Sequence, residues 1–334
     1  MYLTVMTQLL IMAIIALVSF FFSKANKYGE KEASFLSKVL LMVINPCVMV
    51  NAYNIDFDME KLKATGFSVF ISLIFHLVMT VLAVLFIRTA KPRGLLEKAS
   101  ELGDWENRKV FDGLDRIAVV FTNSGFIGIP LIKGVFGDEG VFYLMGYILV
   151  FNVYLWTWGD YLMTHKVSIK KIVTNPNILA AFLGVILFCI PGKLPLIIGE
   201  PIRMIADLNG AVSMILLGLL FAKFKKAESS KGSEYVWRII RVVLMRLVVL
   251  PVALLGIMLL LTKAFHSYPN IQMIMCVLYT AVLCPVGMSV SGFAVLFGKD
   301  SSYSSLLVSI SSACCIATVP AFVQLADMLI QRMF

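Results

Sequence analysis

Apolar stretches of about 20 residues, separated by short polar clusters, recur along the whole chain. A stretch of this length crosses the hydrocarbon core of a bilayer when it forms an α-helix. The pattern indicates an all-α polytopic membrane protein. We predict ten helices, near residues 2–22, 35–53, 65–87, 117–136, 141–163, 177–198, 203–222, 237–261, 271–297 and 303–330.

Composition excludes the other broad classes of protein. Of the 334 residues, 60% are apolar and 15% are charged, whereas a soluble domain carries about 25% charged residues. The six cysteines lie in apolar stretches and form no CxxC pair. We therefore expect reduced cysteines that pack among the helices, with no disulfide, no metal and no cofactor.

The basic residues determine the expected orientation. With the N-terminus outside, the inner segments contain about three times as many Lys and Arg residues as the outer ones, as the positive-inside rule requires. The sequence thus predicts a multi-pass protein of the cytoplasmic membrane with both termini outside. The net charge of +9 belongs to the inner loops and indicates no nucleic-acid partner. Residues 88–116 form either an amphipathic surface helix or a solvated loop.

A short motif that occurs twice suggests that the chain contains an internal repeat. The sequence Phe-Gly-Asp at 136–138 follows the fourth predicted helix, and Phe-Gly-Lys-Asp at 297–300 follows the ninth. This recurrence divides the chain into two five-helix repeats, residues 1–165 and 166–334. Because each repeat has an odd number of spans, the second copy must be inverted. Inverted repeats are typical of secondary transporters, whose substrate site lies at the midplane between the copies.

Each predicted repeat contains one helix that proline and glycine interrupt. Helix four contains Asn-Ser-Gly-Phe-Ile-Gly-Ile-Pro at 123–130, and helix nine contains Cys-Pro-Val-Gly at 284–287. Proline removes a backbone donor, and glycine makes an unwound backbone easier to adopt. Broken backbone persists in a membrane only inside protein or beside a water-filled cavity. We expect the breaks to cross near the midplane and to direct half-helix N-termini, which favour anions, at a substrate. The alternative is a pair of ordinary kinks with close-packing glycines.

The segment 123–137, NSGFIGIPLIKGVFG, resembles the fourth-helix motif of the auxin efflux carrier family, which includes bacterial malate and malonate permeases. The resemblance implies ten helices in two domains, with helices 1, 2, 6 and 7 as a scaffold and helices 3–5 and 8–10 as a moving unit. The chain departs from many bacterial relatives at Ala211, where they carry a proline. Further matching positions are Asn45-Pro46, 175–177, 213–218, Arg246 with Pro251, and 285–287.

The same resemblance places the crossover asparagine of the family at Asn123 and its crossover prolines at Pro130 and Pro285. Asn123 is suited either to bonding a substrate carboxylate or to capping freed backbone. Asn45 faces either the site or the kink at Pro46. The predicted substrate-binding residues are Asn45, Asn123, Ser124, Gly125, Pro130, Pro285, Val286 and Gly287.

Five further polar residues in or near predicted spans each have two interpretations. Arg246 either holds the anion or acts structurally, by tying carbonyls freed at a crossover or reaching the cytoplasmic interface. Asp207 either relays a proton or makes a polar contact near the entrance. His76 suits proton coupling or packs as a neutral ring between helices. Asn152 either takes part in coupling or, as we expect, makes only an interhelical hydrogen bond, and Lys133 either attracts anions or lies at the interface.

Together these features predict a secondary carrier of small organic anions, such as malate or malonate, that works by an elevator-like movement. The alternative is a channel or a non-transporting sensor on the same fold. We expect no enzyme, because the serines at 287–292 have no histidine base within reach. No carboxylate cluster lies at the expected site, so we expect the substrate gradient and the membrane potential to drive transport. The expected partners are the anion and membrane lipid, and the resemblance alone implies a homodimer.

Overall fold

The computed structural model describes residues 1–28, 30–87, 112–222, 233–297 and 301–333. Of these residues 87% are helical, and the described ranges contain no β-strand. Seven helical stretches within them are long and apolar enough to cross a membrane, and two further apolar helices are shorter. These observations confirm the prediction of an all-α protein with several membrane-spanning helices.

The helices up to residue 173 include one long element with a sharp kink. α6 consists of two helical segments that meet at Gly137, whose φ of 68° lies in the left-handed region that favours glycine. The elements are α1 (Tyr2–Asn26), α2 (Glu30–Val39), α3 (Asn45–Tyr53), α4 (Met59–Phe86), α5 (112–120), α6 (Ile129–Tyr154), α7 (Asp160–Thr164) and α8 (Ile169–Val173).

In the remaining described part of the chain, the helix predicted at 271–297 is divided in two, with non-helical backbone at 284–287. The elements are α9 (Pro176–Cys189), α10 (Leu196–Ala222), α11 (Ser233–Leu244), α12 (Leu250–Ala264), α13 (Ile271–Leu283), α14 (Met288–Leu296) and α15 (Ser301–Gln331).

Prolines determine where several helices widen into π-helical turns. Within the described ranges such turns occur at Leu40–Ile44, Ser124–Gly128, Leu155–Gly159 and Met245–Val249, and the first, second and fourth lie just before Pro46, Pro130 and Pro251. A proline ring clashes with the carbonyl four residues earlier. The wider turn relieves this clash, because the amide before the proline bonds a carbonyl five residues back, as Asn45 N does with Leu40 O.

The two helix ends on either side of Pro191 differ most from those that the apolar pattern predicts. α9 ends at Cys189 rather than near 198, and α10 begins at Leu196 rather than near 203. The residue before a proline disfavours helical backbone, so the chain leaves the helix ahead of Pro191. Gly192 then adopts a φ of 100° in the turn. The surface helix considered for 88–116 lies outside the described residues as far as residue 111.

α1 and α10 approach each other closely at Gly218. A Cβ atom at this position would lie 2.1 Å from the carbonyl oxygen of Ala16, so the contact requires glycine. Beside it, the Ser19 hydroxyl donates to the carbonyl of Ile215 at 2.7 Å. Small residues allow membrane helices to pack with their backbones in contact, and this contact joins α1 to α10.

A buried ion cluster joins α5, α11 and α15. Arg238 donates to Asp112 and Asp115 on α5, at 3.0 Å each, and Arg241 donates to Asp115 at 3.1 Å. The hydroxyl of Tyr303 on α15 donates to the second oxygen of Asp115 at 2.5 Å. Asp115 is fully buried. Because a buried carboxylate is costly without donors around it, the cluster holds the ends of these three helices together.

Candidate functional site

The two predicted helix breaks lie directly against each other. Residues 121–123 separate α5 from the π-helical turn that leads into α6, and residues 284–287 separate α13 from α14. Thr122 and Val286 form an antiparallel bridge. Asn123 N donates to Pro285 O at 2.8 Å, and Gly287 N donates to Phe121 O at 2.9 Å. The backbone groups freed by each break therefore find partners in the other, as a membrane interior requires.

Glycine allows the two segments, residues 121–123 and 284–287, to come this close. A Cβ atom on Gly287 would lie 2.7 Å from Thr122 O and 3.0 Å from Phe121 O, both backbone atoms that cannot move away easily. Ser311 on α15 supports the non-helical segment 284–287, since its hydroxyl accepts a hydrogen bond from Val286 N at 3.1 Å. Gly287, two residues after Pro285, is thus required by the close approach of the two segments.

Arg246 lies on one side of the crossing and is fully buried. Its Nε and one terminal nitrogen donate to Cys284 O at 3.0 and 2.8 Å, and its other terminal nitrogen donates to Val119 O at 3.0 Å. Val282 O accepts a further bond. These carbonyls lie at the C-terminal ends of α5 and α13, where the helix dipole is negative. Arg246 therefore makes the contacts of a structural tie and offsets the negative ends of both half-helices.

The side chains that follow the crossing lack partners. Asn123 is 1% exposed, and neither its amide oxygen nor its amide nitrogen has a hydrogen bond within the described structure. The hydroxyl of Ser124, at the start of the π-helical turn before α6, also lacks a hydrogen bond, as does the hydroxyl of Ser289 in the first turn of α14. A buried polar group left without a partner costs about 1–3 kcal/mol. Such groups at two positively polarised helix N-termini are suited to an anionic ligand.

α10 contributes an asparagine that the sequence analysis missed. Asn209 Nδ2 donates to Asn45 Oδ1 at 2.8 Å and lies 3.4 Å from Gly125 O. Asn209 Oδ1 and the hydroxyl of Ser213, one turn further along α10, are buried and unpartnered. The signal in the sequence is a lone amide beside a glycine in an apolar helix. Asn45, Asn209 and Gly125 thus bring α3, α10 and the crossing together.

A cavity of about 540 Å³ opens beside this contact. It lies between α1, α3, α6 and α10, and Pro130 and Asn209 line its wall. Charged residues also line it, including Lys133 and Asp207, whose side chains form an ion pair at 2.7 Å. The cavity lining does not include Asn123, Ser124 or residues 285–287.

The remaining candidates lie apart from the crossing or make contacts within their own helix. His76 on α4 is fully buried; its Nδ1 lies 2.8 Å from Ser72 O, and its ring packs 4.9 Å from that of Tyr147. Asn152 donates to Ile148 O in its own helix at 2.8 Å, so the expected interhelical bond is replaced by a local one. No group of three or more His, Cys, Asp and Glu side chains among the described residues is arranged to hold a metal.

Comparison with known families gives one match. Residues 161–323, just under half of the chain, match the model of a family described as membrane transport protein. The matched segment includes Arg246 and residues 285–287, and it ends within α15. No curated protein matches the chain.

Proposed function

We propose that this chain is a secondary carrier of small organic anions. The premise is its match, over residues 161–323, to an auxin efflux carrier-like membrane transport family. The family is one of membrane transporters and not of enzymes. Mono- or dicarboxylates such as malate or malonate are the substrate class that we propose for this member, as in the permease branch that its sequence resembles.

The observation that carries the proposal is the polarity of the crossing. Arg246 covers the negative ends of the two half-helices, while the positive ends continue into the turns that hold Asn123, Ser124 and Ser289. The side chains of those three residues are buried and unpartnered. A carboxylate accepts several hydrogen bonds and is stabilised by helix N-termini. An anion therefore complements this arrangement better than a cation or a neutral solute does.

The proposed architecture is a pair of inverted five-helix repeats, residues 1–165 and 166–334, with both termini outside. In the numbering of the ten helices predicted from the sequence, helices 3–5 and 8–10 would move as one unit against helices 1, 2, 6 and 7. The contacts of Arg246 support this division, because they join α4, α5 and α13 through Met79, Val119 and Cys284. Across the proposed boundary, Asn209 donates to Gly125 O over a long distance of 3.4 Å, and Lys133 pairs with Asp207 at a partly exposed position. Long or partly exposed polar contacts are compatible with an interface that slides.

The energy source in this proposal is the substrate gradient together with the membrane potential, which contributes about 2.3 kcal/mol per charge per 100 mV. His76 packs among aromatic rings, and Asp207 is paired with Lys133. Neither residue lies at the crossing. Coupling to a proton through either side chain is therefore not part of the proposal.

The test is uptake of radiolabelled malate, malonate and an aromatic acid into proteoliposomes by the native protein, Asn123→Ala and Asn152→Ala. We expect saturable uptake of one acid class by the native protein. Losing a hydrogen bond to a charged group costs about 1.5–3 kcal/mol, so Asn123→Ala should lower kcat/KM by about tenfold to a hundredfold. Asn152→Ala is the matched control, because Asn152 is also buried but bonds only its own helix.

Each other outcome points to a different conclusion. Uptake that does not saturate would indicate a channel, and binding without uptake would indicate a sensor. Equal uptake by Asn123→Ala and the native protein would leave the carrier intact but remove the crossing as its site. Absence of uptake and of binding for all three acids would reject the anion as substrate.

A further inference from the structure

The ion pair between Lys133 and Asp207 connects α6 to α10. Lys133 Nζ lies 2.7 Å from Asp207 Oδ1. Lys133 also lies 3.6 Å from Asp138, and Arg203 lies 3.2 Å from the other oxygen of Asp207 and pairs with Glu200. Each member of the central pair thus has a second partner of opposite charge nearby.

Both residues line the cavity whose wall also includes Asn209. Lys133 follows Pro130 by three residues on α6, and Asp207 precedes Asn209 by two residues on α10. The pair therefore joins α10 to α6, and Asn209 joins α10 to the turn that leads into α6. An anion that occupies the cavity is therefore in contact with the wall that Lys133 forms.

The pair is weak enough for an entering anion to exchange with it. Its side chains are 46% and 40% exposed, and a half-exposed ion pair contributes about 0–1 kcal/mol. When a carboxylate takes the place of Asp207 at the ammonium group, Asp207 keeps Arg203 as its partner. No buried charge is left without compensation, so the exchange avoids the penalty of an unpaired ion.

We propose that Lys133 is the entrance site for the substrate carboxylate, and that binding there displaces Asp207 and releases α6 from α10. This inference rests on the proposed function, because it requires a carboxylate substrate. It adds a binding residue outside the crossing and a reason why the two helices separate when substrate is present.

The inference gives opposite signs for the two halves of one ion pair. Lys133→Gln removes the group that binds the anion and raises the KM for malonate by about fivefold, the value of one exposed charge interaction. Asp207→Asn removes the competitor and lowers the KM, by about twofold to fivefold on the same scale. Lys133→Arg keeps the charge and restores the native KM to within about twofold. A purely structural bridge predicts instead that both neutral variants impair transport alike.

The experiment measures initial rates of malonate uptake into proteoliposomes for these three variants and the native protein. Lys193→Gln and Asp56→Asn are the matched controls, because Lys193 and Asp56 form an exposed pair at 3.0 Å that does not line the cavity. Neither control should change the KM. The melting temperature of each variant without malonate checks that it is folded.

The result that overturns the inference is a change of the same sign, or no change, for Lys133→Gln and Asp207→Asn in folded protein. A fall in KM for Asp56→Asn as large as that for Asp207→Asn also overturns it, since the effect is then general surface electrostatics. The proposed function fails separately, and the inference with it, if the native protein takes up no carboxylate.

Discussion

Replacing Arg246 tests whether the crossing is held together by this one side chain. In Arg246→Gln the carbonyls of Val119, Val282 and Cys284 lose a charged donor. Hydrogen bonds to a charged group contribute about 1.5–3 kcal/mol each, so three acceptors give about 4.5–9 kcal/mol. Removing the buried cation returns part of this, because the desolvation of one ion costs several kcal/mol. The three carbonyls left without this donor cost about 1–3 kcal/mol each, so we expect a net loss of about 3–5 kcal/mol.

The assay is thermal unfolding of the purified protein in detergent, together with uptake in proteoliposomes. Arg246→Gln should lower the melting temperature strongly and abolish uptake. Arg246→Lys keeps the charge but has no planar fork to reach carbonyls on two helices, so it should lie between the native protein and Arg246→Gln. A native melting temperature with a raised KM in Arg246→Gln would refute the reasoning, since Arg246 would then bind substrate and not the backbone.

Two further substitutions test the packing around the crossing. Gly287→Ala would place a Cβ 2.7 Å from Thr122 O, and overpacking of this kind costs about 1–3 kcal/mol; a lowered melting temperature checks it, and Gly256→Ala, where no atom lies within 4 Å, should not be destabilising. Asp115→Asn removes the charge between Arg238 and Arg241 and should cost about 3–5 kcal/mol, measured by urea or thermal unfolding; an unchanged stability would show that the cluster is not coupled.

The sequence was sufficient for features that depend on neighbouring residues. Apolar runs located the helices, and proline beside glycine located both interruptions, because these residues act on the backbone where they stand. Helix ends were less accurate: the apolar pattern continues through Ile190 and Pro195, although backbone sterics at proline break the helix there.

Contacts between distant residues could not be predicted in the same way. Asn209 and Asn45 are 164 positions apart, and nothing local to either residue identifies the other. For Arg246 the sequence left an anion and the freed carbonyls as alternative partners, and only the position of Val119 beside Cys284 distinguishes them. Asp160 was also missed; it is almost fully buried and pairs with Lys171 at 2.8 Å.

The crossing is fastened by main-chain atoms: the amides and carbonyls of residues 121, 123, 285 and 287 bond one another, and Arg246 also bonds carbonyls. None of these bonds uses the side chains of Asn123, Ser124 or Ser289. Substitutions of similar size at these three positions therefore leave the main-chain bonds of the crossing in place. Under the proposed function these side chains face the substrate, which makes the three positions suitable for a directed library that seeks a change of selectivity.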